Sequence, residues 1–251
     1  MPRSRKKAIT AEPTQNPNIA NKPSKYTPSG KKGQLKQSIT IIPRNERQEE
    51  LLEYLMDEER KLVCTIGSSG CGKSYLCMAS AIKALEEKKI RKIVITRPYS
   101  AVDGISIGAL PGTMFEKMEP FLLPLLDFLE DFYSKKDVAQ MIETGIVAIE
   151  PLMYLRGRNL NDAWIVADEM QNSSINECKT LLTRLGETSR VFITGDLKQA
   201  DRKFENDNGL KDLITRLGKY ESPLTAMVQF NKEDSVRSPL VRHILKLYEE
   251  E

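Results

Sequence analysis

Short apolar runs alternate along this chain with stretches whose apolar residues recur at helical spacing. Lys61–Ile66, Lys92–Thr96, Ile146–Glu150, Trp164–Ala167 and Val191–Thr194 are brief and rich in β-branched side chains. Runs of that kind, apolar on both sides of the pleat, read as strands buried on both faces of a sheet. Arg44–Met56, Tyr75–Leu85 and Ile175–Leu185 place apolar residues three and four apart, which reads as helix. Phe115–Tyr133 is strongly apolar, but Pro120 and Pro124 predict two helical pieces there. A glycine-containing loop is expected over Ser100–Gly112 and a closing helix over Pro239–Tyr248. Strands alternating with helices predict an α/β fold, a parallel sheet covered on both faces.

The amino-terminal stretch breaks this pattern. It lacks periodicity and is rich in Pro, Asn, Ser, Thr and Lys, so a disordered tail over 1–37 and an ordered domain over 38–251 are expected. Charge divides near the same place. The 251 residues hold 38 Lys and Arg against 35 Asp and Glu, a net charge of +3. Residues 1–36 carry nine basic side chains and one acid, Glu12, leaving 29 basic and 34 acidic side chains beyond them. A flexible basic arm can neutralise phosphates of RNA or single-stranded DNA; a solubilising extension without a partner is the other reading. No run approaches the ~20 apolar residues of a membrane span. No apolar segment follows Arg3, Arg5, Lys6 and Lys7, so no secretory signal is read and the cytoplasm is the expected compartment. Cys64, Cys71, Cys77 and Cys178 form no metal-ligand spacing with the single His243 and read as buried, reduced thiols.

The chemistry begins at Gly67-Ser68-Ser69-Gly70-Cys71-Gly72-Lys73-Ser74. Glycine, four variable residues, then Gly-Lys-Ser is the phosphate-loop pattern, and it lies between an expected strand and an expected helix, the context it requires. Backbone amides of such a loop turn inward around a phosphate chain. Lys73 reaches the β- and γ-phosphates, and the Ser74 hydroxyl holds Mg²⁺. A carboxylate from a neighbouring strand end must complete the metal site, and Asp168 after Ala163–Ala167 supplies it. Glu169 is placed to polarise an attacking water, which favours hydrolysis over simple binding. Thr194 or Asp196, with Gln199, ends another strand and could sense the γ-phosphate; Gln171 is a second candidate. Upstream, the amide of Gln48 both donates and accepts, as an adenine edge requires.

These residues together resemble the PhoH family of ATPases, from about Ile42 to Glu249. The resemblance rests on GSSGCGKS at 67–74, Arg97-Pro98, PLMYLRGRNLNDAWIVADEMQNSS at 151–174, LLTRLGETSRVFITGDLKQAD at 181–201 and DSVRSPLVRHILKLYE at 234–249. It departs from the family pattern at Ser68, Ser69, Cys71 and Ser74 in the loop, at Met170, and at Ser235 and Ser238, while Arg237 is kept. The resemblance implies a RecA-like fold similar to the first motor domain of superfamily-one helicases, ATP with Mg²⁺ as ligands, ATP hydrolysis, ring-shaped oligomers and a link to RNA metabolism. Stand-alone members are common in bacteriophage genomes, an origin compatible with the short basic extension.

One motor domain changes what the site needs. An arginine from a neighbouring subunit can raise turnover by ~10³–10⁵, so a closed homo-oligomer such as a hexamer is expected. Arg237 and Arg242 are the candidates for that arginine; Arg97, Arg156 and Arg158 are alternatives or nucleic-acid contacts. A competing reading makes the chain a nucleotide-dependent assembly or regulatory switch with slow hydrolysis and no coupling to nucleic acid. A small-molecule kinase is disfavoured, because Asp168-Glu169 suits water activation and no acceptor-binding lid is evident.

Overall fold

The structure, a computed structural model, describes residues 33–98, 114–201 and 206–248. The expected basic tail as far as residue 32 and the stretch Ser100–Gly112 lie outside the described residues. Residues 33–37, assigned to the tail by sequence, are placed against the domain. Leu35 bridges Tyr133 in antiparallel fashion and packs on the core, and the Lys36 amide donates to the Phe132 carbonyl at 2.8 Å.

Thirteen regular elements follow: α1 (Glu46–Met56), β1 (Leu62–Gly67), α2 (Lys73–Glu86), β2 (Lys92–Thr96), α3 (Met114–Phe132), α4 (Lys135–Glu143), β3 (Val147–Ile149), β4 (Ala163–Ala167), α5 (Ile175–Leu182), β5 (Arg190–Gly195), α6 (Gly209–Leu217), β6 (Thr225–Phe230) and α7 (Pro239–Leu247). The strands form one six-stranded sheet in the order β3-β2-β4-β5-β1-β6, and every pairing is parallel. Alternate side chains along each strand feed opposite faces. Val63, Ile93, Ile95, Trp164, Val166 and Phe192 meet α1, α2, α3 and α4. Leu62, Cys64, Ile66, Val94, Ile165, Val191 and Ile193 meet α5 and α6. This two-sided burial is why the strands read as unbroken apolar runs.

Three elements lie beyond the sequence reading. α4 is nine residues long and carries a Ser134 N-cap that accepts from the Asp137 amide. α6 follows Asn208, whose side chain caps it through the Lys211 amide. β6 is the edge strand, and its burial alternates because only one face is covered; Ala226, Val228 and Phe230 point inward. A fourth difference is α3. It runs unbroken over 19 residues in place of the two expected pieces. Its prolines stand four residues apart, so the donors they remove fall on one face. Pro124 itself lies on the exposed side of the helix, where a lost backbone bond costs least.

The opposite ends of the strands have different work. At the amino end, the Arg190 guanidinium is buried (3% exposed) over the Trp164 ring at 4.6 Å. It donates to the carbonyls of Leu55 at 2.9 Å, Asp57 at 2.6 Å, Tyr54 at 3.1 Å and Arg60 at 2.7 Å. Carbonyls in the last turn of a helix have no partner within it, so Arg190 ties the end of α1 to the sheet. The carboxyl ends of β1, β4 and β5 are left for chemistry.

Candidate functional site

β5 stands between β1 and β4. Its last residues therefore lie in the middle of any site made by the loop after β1 and the acids after β4. The loop itself is fixed by its glycines. Gly67 has φ +132, and a Cβ there would lie 2.2 Å from the Phe230 carbonyl oxygen of β6. Gly72 has φ +80 and caps α2 in the left-handed region with no side-chain cap bond. The first amides of α2 thus face the loop without a protein acceptor from the cap, an arrangement that favours an anion.

Lys73, Ser74, Asp168, Glu169, Thr194, Asp196 and Gln199, with Ser69, Gly70 and Gly72, line one cleft of about 210 Å³. Gly67 and Ser68 line an adjoining one with Asp196 and Lys198. Lys73 is 8% exposed and donates to the Gly67 and Ser68 carbonyls, each at 2.7 Å. Burial pushes its ammonium below the usual value, and nearby groups, among them Asp196, Glu169 and Asp168, oppose that shift. The Ser74 hydroxyl donates to Asp168 Oδ1 at 2.7 Å, and the Thr194 hydroxyl donates to the same oxygen. With its proton committed to Asp168, the Ser74 oxygen keeps its lone pairs for a hard cation. Hydroxyl and carboxylate oxygens are the donor set that Mg²⁺ takes, shared with phosphate and water. The residues present therefore fit a Mg²⁺–triphosphate.

Glu169 adopts φ +55, uncommon for a residue with a side chain and a mark of local strain at working sites. The Asp168 amide still donates to the Thr96 carbonyl at 3.0 Å, so β4 holds its line to Asp168 and turns at Glu169. Its carboxylate accepts from the Gln171 amide and pairs with Arg97 at 3.7 Å. Gln171 in turn accepts from the Asp196 amide at 3.1 Å, and Gln199 donates to Asp196 Oδ2 at 2.9 Å. The ends of β4 and β5 are thereby linked through side chains. Gln171 is buried and braces Glu169; Gln199 is the one that faces the cleft.

Gln48, Cys71 and Arg237 make contacts that the sequence did not announce. Gln48 is only 3% exposed; it donates to the Cys71 carbonyl at 2.9 Å and accepts from the Arg44 amide at 2.9 Å. Its amide thereby holds the loop to α1. Cys71 offers its backbone to the loop, but its thiol is buried in the core and donates to the Asn231 carbonyl at 3.6 Å. Burial raises that thiol's pKa, which works against reactivity. Arg237 lies on its own phosphate loop: its guanidinium donates to the Ser69 hydroxyl, and the neighbouring Val236 amide donates to the Gly70 carbonyl at 3.0 Å. It thus reaches the loop of its own chain.

Sequence reasoning missed two lining residues, Tyr75 and Phe128. Tyr75 directly follows Ser74, so its place in the first turn of α2 was a usable signal. Phe128 comes from α3, and nothing local announces it.

A parallel sheet with a phosphate loop after β1, a carboxylate pair after β4 and a polar strand end between them defines a P-loop NTPase fold with a RecA-like core. Residues 40–249 match the family model described as PhoH-like protein, and the chain belongs to that family. It is 40% identical over 201 residues to the PhoH-like protein of Bacillus subtilis (strain 168), covering 79% of this chain and 62% of that one. It is 38% identical over 210 residues to the PhoH-like protein of Mycobacterium tuberculosis (strain ATCC 25618 / H37Rv), covering 83% and 58%. Protein PhoH of Escherichia coli (strain K12) is 36% identical over 210 residues, again with 83% and 58% covered. The chain thus spans 58–62% of the length of these relatives. No helix among the described residues is long and apolar enough to cross a membrane.

Proposed function

We propose that this chain binds ATP with Mg²⁺ at the 67–74 loop and hydrolyses it, coupling turnover to RNA or single-stranded DNA. The observation that carries the reading is the meeting of Lys73, Ser74 and Asp168-Glu169 in one cleft, with the Ser74 hydroxyl donating a hydrogen bond to Asp168. Ser74 and Asp168 would hold Mg²⁺, which would supply charge neutralisation on the phosphates. Lys73 exchanges its two loop carbonyls for phosphate oxygens. Glu169, braced by Gln171 and Arg97, orients and polarises the attacking water. Gln199 reports the γ-phosphate through Asp196, and Arg237 adds positive charge from above the loop. A closed homo-oligomer, such as a hexameric ring, remains part of this reading, with the exposed Arg242 as the arginine offered to a neighbour. The basic residues of 1–36 give the chain a nucleic-acid arm.

The test is ATP turnover by the full chain with and without single-stranded RNA, at low and high salt, beside Lys73→Ala. Turnover that RNA stimulates at low salt, and that Lys73→Ala abolishes, is the expected result. Turnover persisting in Lys73→Ala refutes the site. Slow turnover indifferent to RNA, with assembly that depends on nucleotide, favours the switch reading instead.

A further inference from the structure

Among the described residues, the cleft at the phosphate loop is lined by glycines, hydroxyls, amides and charges, with two exceptions, Tyr75 and Phe128. Phosphates and a hydrated cation have no use for an aromatic wall. The rings meet edge to face, with centroids 5.6 Å apart and planes at 77°. Phe128 packs against the core beneath α3, so it anchors the pair. Tyr75 is 37% exposed, held by its neighbour yet open to the cleft. Its backbone lies in the first turn of α2, next to Ser74, so the ring sits at the edge of the phosphate-binding surface.

Gln48, the residue whose chemistry matched an adenine edge, has turned its amide to the loop. The aromatic wall offers the site another means of recognising the rest of its ligand. Stacking on a π face is the means that Tyr75 has, and it tolerates different bases because every base has such a face.

We propose that Tyr75, positioned by Phe128, stacks on the base of the bound nucleotide and is the nucleoside-recognising wall of the site. This rests on the reading of 67–74 as a triphosphate site and deepens it. The wall acts on the base and leaves the phosphates to the loop. It therefore predicts weak discrimination among purine nucleotides and strong discrimination between a nucleotide and a bare triphosphate.

The experiment is calorimetric titration of the full chain with Mg²⁺–ATP, Mg²⁺–GTP and Mg²⁺–tripolyphosphate, for wild type, Tyr75→Ala, Tyr75→Leu and Tyr75→Phe. Urea unfolding followed by the single Trp164 checks that each variant is folded. Tyr75→Ala and Tyr75→Leu are expected to weaken ATP and GTP roughly tenfold while tripolyphosphate binding stays unchanged. Tyr75→Phe is expected to keep wild-type affinity, since the ring carries the interaction. If Tyr75→Leu binds ATP as well as wild type does, the contact is not stacking and the proposal falls. Equal weakening of ATP and tripolyphosphate, or no weakening of either, also overturns it, while the triphosphate site itself stands. Wild type binding neither ATP nor tripolyphosphate removes the underlying reading and this inference with it.

Discussion

Replacing Arg237 by alanine is expected to slow ATP turnover by about two orders of magnitude, and to do so inside a single subunit. The side chain donates to the Ser69 hydroxyl. Its stem is packed so closely on the loop that a Cβ on Gly70 would lie 2.3 Å from its Nε and 2.6 Å from its Cγ. A phosphate cradled by the loop amides would then stand roughly 5 Å from the guanidinium. At an effective dielectric of about 20, a unit charge at that distance contributes about 3 kcal/mol. If that attraction develops with charge in the transition state, it is worth roughly a hundredfold in rate. Arg237→Lys keeps the charge but loses the planar fork, so it should recover part of the loss. Steady-state kinetics give the magnitude. Mixing Arg237→Ala with Lys73→Ala subunits gives the geometry, because an arginine acting on its own loop leaves no mixed subunit with a complete site. Turnover regained on mixing would place Arg237 in a neighbour's site, and an unchanged kcat in Arg237→Ala would remove it from the reaction.

Gly67→Ala should cost about 2–4 kcal/mol of stability, from the left-handed strain and the 2.2 Å approach to the Phe230 carbonyl; a urea midpoint within experimental scatter of wild type would contradict the close packing of β1 on β6. Arg190→Met should cost roughly 3–5 kcal/mol by stripping four carbonyls of their charged donor. Because Arg190 lies at the amino end of β5, the KM for ATP in that variant should not move, and a large change in KM would show that the two ends of the sheet are coupled. For Cys64, burial pushes the thiol from 9.0 up to about 12. Between those values the unfolded chain releases a proton that the folded chain keeps, so this group's contribution to stability is lost as pH rises. Stability measured from pH 8 to 10.5 should therefore shift in favour of Cys64→Ala over wild type by about 1.4 kcal/mol per unit above pH 9; a constant difference would contradict the assignment.

Much of the fold was legible because it is local. A strand buried on both faces, such as Ile93-Val94-Ile95, needs no partner to be recognised, and Ser134 or Asn208 could have announced α4 and α6 by their capping chemistry. β6 was harder. With one face exposed it alternates, and Met227 and Gln229 dilute its apolar content. α3 misled for the opposite reason, since a proline rule written for helix interiors ignores which side the missing donor faces. The site followed the same division. Lys73, Ser74, Asp168 and Glu169 were read from spacing along the chain, and the structure gathers them in one cleft. Gln48 was read as an amide suited to an adenine edge, and nothing in its neighbourhood reveals its bond to the Cys71 carbonyl, 23 positions away. Arg237 was one candidate for a neighbour's loop, and nothing local along the chain signals its return to Ser69 of its own.

That return has a consequence for how the protein is made. Gly67 closes against Phe230, and Ser69 is held by a residue 168 positions downstream. Contacts of such separation are slow to form, since a long loop of chain must close before they repay its entropy. The phosphate loop is therefore synthesised before the residues that shape it, and is expected to be among the last segments to acquire its final form. A nascent or truncated chain that ends before β6 would carry every residue of the 67–74 motif without the surface that shapes it, so ligand binding becomes a readout of completed folding.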